Sequence, residues 1–144
     1  SNDFTVQNVP ATTNAVTITS IRDGEHRTQM PEPAKDRVCR ERFEQAKKAS
    51  LARGSAQYQT ELRACGWVEL FAVAARAAGT QLTPQSFSQA MQGVGKLDFP
   101  YFAPGAFGPG KFDLADQVRI KVFKSDCRCW MPTGDFQPGV PHAA

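Results

Sequence analysis

Two segments of the chain alternate between apolar and polar residues, and each predicts a β-strand. Residues 15–21 read AVTITSI and are mostly β-branched, which is typical of a strand with one buried face. Residues 118–123 read VRIKVF, and the KSDCRCW that follows them predicts a turn into a short partner strand. Asp23 and Gly24 predict a turn directly after the first strand, followed by loop as far as Pro33.

The middle of the chain carries the helical period instead. Residues 34–48 have apolar positions about one helical turn apart, namely Val38, Cys39, Phe43 and Ala46. Residues 60–78 are so rich in apolar residues that we expect a long helix buried on most sides, with Gly79 as its C-cap. Thr83 and Pro84 predict the N-cap and the first residue of a third helix.

Prolines and glycines interrupt regular structure elsewhere. Residues 95–110 combine them with several aromatic residues and predict a long loop, of a kind that is often functional or serves as a crossover. Residues 135–144 are also rich in proline and glycine and predict a loose tail. Strands and helices together indicate an α/β fold class.

Composition and charge narrow the class of protein. The 144 residues are 41% hydrophobic and 22% charged, as in ordinary folded chains. A net charge of +3, from interspersed residues of both signs, gives no reason to expect a nucleic-acid partner. No apolar run reaches the roughly 18 residues that span a bilayer, and no charged-then-apolar leader opens the chain, so the sequence is either cytosolic or already processed.

The four cysteines, Cys39, Cys65, Cys127 and Cys129, bear on the cellular compartment. A zinc site needs two close ligand pairs and a thioredoxin-like site needs C-x-x-C at a helix start, and a single C-x-C after a strand fits neither. Disulfides and buried free thiols remain, and we favour disulfides, which would indicate an oxidising compartment. Four cysteines allow three pairings, and if Cys39 pairs with Cys65, the other two can pair only with each other.

Signatures of catalysis are missing from the sequence. It contains no nucleophile elbow, zinc-protease motif, Walker loop or dinucleotide fingerprint. The glycine-rich residues 105–110 include a proline, which removes a backbone donor that a phosphate cradle would need. Asp113 and Asp116 are typical of surface charge rather than of a glycosidase pair. We therefore expect no enzymatic activity, no catalytic residue, no metal site and no cofactor.

The order of these elements resembles a known family. The phrases that carry the resemblance are AAGT at 77–80, LTPQSF at 82–87, FGPGKFD at 107–113 and CRCWMPTGDF at 127–136. In this order and spacing they resemble the C-terminal portion of substrate-binding proteins of branched-chain-amino-acid-type ABC importers. These proteins form the leucine/isoleucine/valine-binding family of type I periplasmic binding proteins. The resemblance covers nearly the whole chain.

The resemblance implies two α/β lobes joined by three crossovers, of which this chain would be one part. Residues 1–95, with a strand and three helices, would form the second half of the first lobe. Residues 96–117 would be a crossover loop, and residues 118–144 would be closing strands and a tail that belong to the second lobe. The protein would be extracytoplasmic, either secreted or lipid-anchored at the outer face of the cell membrane.

The resemblance also implies a function and one site residue. A small solute such as an amino acid or an amide would bind in the cleft and be delivered to an ABC permease. In the family, the segment before the long helix brings an aromatic residue to the cleft, and the nearest match here is Tyr58; the alternative is a surface tyrosine in a loop.

The sequence is also compatible with two other functions and with one form of homodimer. The chain could be a secreted, non-enzymatic interaction module or a sensor ectodomain built on the same lobe. An interaction module would have a core of its own, with strand 118–123 packed on the sheet of strand 15–21. If strand 118–123 belongs to an absent lobe, its edges are unpaired, and we then expect an arm-exchanged homodimer of the fragment.

Overall fold

A computed structural model describes residues 14–139 of the chain. The predictions for residues 1–13 and 140–144 lie outside the described residues. The fold is mixed α/β, and its elements are, in order, β1 (Val16–Thr19), a short 3-10 helix (Glu25–Arg27), α1 (Ala34–Lys47), α2 (Ala56–Ala78), α3 (Pro84–Gly93), β2 (Lys96–Leu97), β3 (Gly105–Ala106), β4 (Gln117–Lys124) and β5 (Cys129–Pro138). The predicted strands and the three predicted helices are all present.

The main sheet has three antiparallel strands in the order β1-β4-β5. Val122 of β4 faces Val16 on one side and Met131 on the other, so both edges of β4 are paired within the chain. The expectation of unpaired edges for residues 118–123 is therefore wrong, and the reason for exchanging this strand between copies disappears. The homodimer itself stays a prediction.

The sheet turns apolar side chains outward. Val16 and Ile18 of β1 are 62% and 68% exposed, and Ile120 beside them on β4 is also exposed. The opposite, inward face of β4 carries the buried residues Arg119, Lys121 and Phe123. The expectation that β1 buries its apolar face is thus wrong, and the inward face of β4 holds two charged residues beside one aromatic residue.

Ion pairs allow these charged residues to be buried. Arg119 Nη1 lies 2.7 Å from Glu25 Oε1, and Lys121 Nζ lies 2.6 Å from Asp23 Oδ2. The guanidinium of Arg119 also lies 4.3 Å from the ring centre of Phe136. Both acids follow β1 in the turn and the 3-10 helix, where the sequence predicts only turn and loop. Paired charges cost much less to bury than isolated ones, so this short segment makes the inverted sheet possible.

The helices begin where their capping residues place them. α2 begins at Ala56 rather than at residue 60, because the hydroxyl of Ser55 accepts a hydrogen bond from the Tyr58 amide at 3.1 Å. α3 follows Thr83, which forms the predicted cap and shares a capping box with Ser86.

α2 is less buried than its composition predicts. Trp67, Val68 and Phe71 are each more than half exposed, so the expectation of burial on most sides is wrong. Leu62 and Ala74 of the same helix are fully buried. The helix therefore has one buried side and one apolar side that remains open.

A disulfide joins α1 to α2. The Sγ atoms of Cys39 and Cys65 lie 2.11 Å apart across 26 residues of sequence, and those of Cys127 and Cys129 lie 2.05 Å apart. Two disulfide pairs are therefore present, and none of the cysteines is free. In the chain-entropy model, closing the longer loop stabilises the fold by about 3.5 kcal/mol. Cys39 belongs to the main buried cluster, with Leu51, Tyr58, Leu62 and Tyr101.

The C-terminal half is more regular than predicted. Within the predicted loop 95–110, β2 and β3 pair in a two-stranded sheet. β5 is ten residues long and extends to Pro138, so the short partner strand and the loose tail from residue 135 are both wrong for this part. The main sheet joins β1, assigned to the first lobe, with β4 and β5, assigned to the second. The division of the chain into lobes stays a prediction.

Candidate functional site: an aromatic cavity

A cavity of about 260 Å³ lies between α2 and the loops that flank β3. Within residues 14–139 its wall is mostly apolar, and Ser20 and Asp113 are the only polar side chains in it. The other wall residues are Gly66, Trp67, Leu70, Phe99, Phe102, Phe107, Phe112, Leu114 and Ala115. Concave apolar sites with a few polar groups are the usual form of small-molecule sites, and drug-sized ligands occupy about 300–1,000 Å³. This cavity therefore suits a smaller ligand.

Two glycines let the cavity walls approach each other closely. A Cβ atom at Gly66 would lie 2.7 Å from the carbonyl oxygen of Pro100 and 3.1 Å from the Phe102 ring. A Cβ atom at Gly105 would overlap the backbone of Leu114. Both walls are therefore set by backbone packing that no larger residue would permit.

The loop that carries Phe99 and Phe102 is also held from behind. The carboxylate of Asp36 accepts a hydrogen bond from the Tyr101 amide at 2.9 Å, and the Arg22 amide donates to the Tyr101 carbonyl at 2.7 Å. Burial raises the pKa of Asp36 to about 6, against the opposing effects of the Tyr101 amide and the Arg22 guanidinium 3.6 Å away. α1 and the end of the first strand thus fix this wall of the cavity.

Aromatic rings form most of the surface that a ligand would meet. Trp67 and Phe102 pack edge to face, with ring centres 5.5 Å apart. Phe112 also lines the cavity but is 70% exposed, so it lies at the rim. Trp67 is itself about half exposed, and an occupant would cover both of these rings.

Asp113 is the one ionisable residue among the described residues of the cavity wall. Lys111 Nζ lies 3.1 Å from Asp113 Oδ1 and 3.0 Å from Asp116 Oδ1, so one ammonium group serves two carboxylates. Burial lowers the pKa of Lys111, but hydrogen bonds to Asp116 and Asp113 outweigh it and raise the pKa overall. A charged group of three side chains therefore lies beside the cavity, with the ammonium between the two carboxylates.

Tyr58, the residue predicted to contact a solute, lies elsewhere. It is in the first turn of α2 and only 3% exposed, so the alternative of a surface tyrosine in a loop is wrong. Its hydroxyl donates to Glu32 Oε1 at 3.0 Å, and the same carboxylate pairs with Arg40. Burial and the bond to Glu32 raise the pKa of Tyr58 well above its ordinary value.

The space beside Tyr58 is small. A cavity that Tyr58 helps to line measures about 10 Å³, roughly what a single water molecule needs. Its wall includes the charged residues Arg22 and Asp36. The contact of Tyr58 with a ligand stays a prediction.

The sequence points to part of the cavity and misses the rest. It marks the loop 95–110 for its length and aromatic residues, and three of those residues line the cavity. It gives no such signal for Trp67 or Phe112. The available clue is Gly66, because glycine in the interior of a helix is unfavourable unless another chain segment approaches closely.

Comparisons with protein-family models, with curated proteins and with solved structures found no match to this chain. Across residues 14–139, no group of three or more histidine, cysteine, aspartate or glutamate side chains is placed to hold a metal ion. Within the same residues, no helix combines the length and the apolar character needed to cross a membrane.

Proposed function

We propose that this chain is an extracytoplasmic solute-binding component of an ABC importer, or the C-terminal part of one. The observation that carries the proposal is the aromatic cavity, whose walls are fixed before any ligand arrives by Gly66 and Gly105. Its volume of about 260 Å³ matches a small solute rather than a peptide. Binding would use contact and burial alone, without covalent chemistry.

Two further features agree with this proposal. The disulfides Cys39–Cys65 and Cys127–Cys129 are typical of secreted and periplasmic proteins and rare in the cytosol. The order of sequence motifs supports the finer assignments: a lobe of a type I periplasmic binding protein, a lipid-anchored or secreted form, and delivery of an amino acid or amide to a permease. In this proposal the open apolar surfaces of α2 and of the sheet would contact the rest of the lobes.

Calorimetric titration tests the proposal directly. The oxidised protein is titrated with a panel of amino acids, their amides and small organic cations, and we expect saturable binding of at least one member. A second sample is titrated after reduction of the disulfides, as a control for the folded state. Absence of binding heat across the whole panel would refute the proposal.

A secreted interaction module is the second candidate, and one observation favours it. β4 packs beside β1 in a single sheet, as this candidate requires, and the outward face of that sheet is apolar around Val16, Ile18 and Ile120. Patches of this kind mark protein–protein contacts in soluble proteins. The occupant we consider is a second copy, because the three described residues Val16, Ile18 and Ile120 carry no charge that would repel the same residues of another copy.

Light scattering at increasing protein concentration tests the second candidate. Ile18→Lys should weaken self-association. Val68→Lys is the matched control, because Val68 lies on α2 and is 69% exposed while Ile18 is 68% exposed, and it should leave self-association unchanged. A chain that stays monomeric at high concentration would rule out the homodimer.

A further inference from the structure

We infer that the aromatic cavity selects a small organic cation, such as a methylated ammonium compound, over neutral solutes of the same shape. The inference rests on the proposed solute-binding function and names the ligand class of the same site. Three properties of the cavity carry it: its rings, its charge and its size.

The rings provide the attraction. Five aromatic residues contribute to the wall, namely Trp67, Phe99, Phe102, Phe107 and Phe112. The faces of aromatic rings carry partial negative charge, and a cation within about 6 Å of a ring centre is attracted to it, most strongly by tryptophan. A quaternary ammonium group has no N–H that needs an acceptor, so it can enter an apolar wall where a primary ammonium group would lose its hydration.

The charge in the wall has the matching sign. Among the described residues that line the cavity, Asp113 is the ionisable one, and its carboxylate forms an ion pair with Lys111. No basic side chain is among these described lining residues. A cation would meet a carboxylate at this wall, whereas an anionic solute would meet no basic group with which to pair.

The size limits the ligand to a small molecule. A volume of about 260 Å³ lies below the 300–1,000 Å³ of sites that hold drug-sized ligands. Choline and tetramethylammonium are much smaller than drug-sized ligands. Phe112 at the exposed rim would contact such a ligand.

The test compares choline with 3,3-dimethylbutan-1-ol, its neutral isostere, in the disulfide-intact protein. Trp130→Phe leaves Trp67 as the only tryptophan, because the chain has two and Trp130 does not line the cavity. We expect choline to change the Trp67 fluorescence and to bind about tenfold more tightly than the isostere in calorimetry.

Two variants separate charge from simple apolar filling. Phe112→Leu keeps apolar bulk but removes a ring, so it should weaken choline about two- to fivefold and change the isostere by less than twofold. Asp113→Asn should weaken choline several-fold at low salt and less at high salt, again without affecting the isostere.

Each outcome bears on a different part of the proposal. If the isostere binds as tightly as choline, the cavity is a plain apolar site and the inference is overturned, while solute binding stands. If an amino acid binds and choline does not, the ligand class is wrong in the same way. If no compound binds, both the inference and the proposed function fail.

Discussion

Gly66→Ala tests whether the close approach of α2 to the loop at Pro100 is required by the fold. In an open helix, alanine would stabilise the chain by about 1 kcal/mol relative to glycine. Here the new Cβ would lie 2.7 Å from a backbone carbonyl oxygen, a distance that real Cβ atoms do not show. Either the loop or the helix must move.

The loop has little freedom to move. Pro100 is fully buried, and the next residue is held by the Arg22 amide at 2.7 Å and by Asp36 at 2.9 Å. Extra methyl groups in a tightly packed site cost about 1–3 kcal/mol. Subtracting the helix-propensity gain of about 1 kcal/mol leaves an expected net loss of roughly 1 kcal/mol of folding stability.

Urea unfolding of the oxidised protein measures this loss. Gly93→Ala is the matched control, since it lies at the end of α3 and its Cβ would meet no atom within 4 Å, so it should be neutral or stabilise by about 0.5 kcal/mol. Gly66→Ala should also lower the affinity for any ligand of the aromatic cavity. A Gly66→Ala protein about 1 kcal/mol more stable than the native chain would refute the reasoning, because the full helix-propensity gain would then appear and the loop would have yielded at no cost.

Three further outcomes are expected. Burial raises the pKa of Asp36 from 3.8 to about 6, so the folded chain binds the Asp36 proton more tightly than the unfolded chain does. The stability that this proton contributes is fully present below about pH 4. It falls by up to ~3 kcal/mol as pH rises through 6. Asp36→Asn should remove that slope in urea unfolding between pH 4 and 8, and identical slopes would contradict it. Replacing Cys39 and Cys65 by serine should lower the free energy of unfolding, measured with urea, by about 3.5 kcal/mol. Removing the second disulfide, whose loop is much shorter, should lower it by about 1.5 kcal/mol. Equal losses would argue against the loop-entropy account. Tyr58→Phe, which removes the hydrogen bond to Glu32, should cost about 1–2 kcal/mol of stability and leave solute affinity unchanged in calorimetry; weaker solute binding at unchanged stability would instead give Tyr58 a place in the ligand site.

Local patterns predicted the elements because each depends on neighbours in sequence. The helix at Ala34–Lys47 follows from its apolar spacing, and the start of α3 follows from the cap at Thr83. The second helix was predicted to start too late because the cap at Ser55 lies in a segment without apolar period. Its burial could not be predicted, since composition says how apolar a helix is but not how much chain is present to cover it.

The cavity could be predicted only in part for a related reason. Phe102 and Trp67 are 35 residues apart in sequence, and their contact depends on how the loop returns to α2. The disulfide pairing depends on a similar juxtaposition of α1 and α2, although in that case the number of possible pairings is small. Spacing rules describe residues within one element, whereas the cavity is built between elements.

The inverted sheet shows most directly what alternation can and cannot specify. A period of two separates the side chains of β4 into two sets, but it does not say which set faces inward. Here the inward set is Arg119, Lys121 and Phe123, and the acids that follow β1 neutralise the two charged members. The set that includes Ile120 is left on the outward face. Burying a valine or isoleucine side chain is worth about 1.5–3 kcal/mol, and Val16, Ile18 and Ile120 largely forgo that gain. Both edges of β4 are already paired, so no strand can be added beside it. A partner that recovers this free energy must therefore pack against the face of the sheet. This holds for a second copy and for the remainder of a two-lobed binding protein alike.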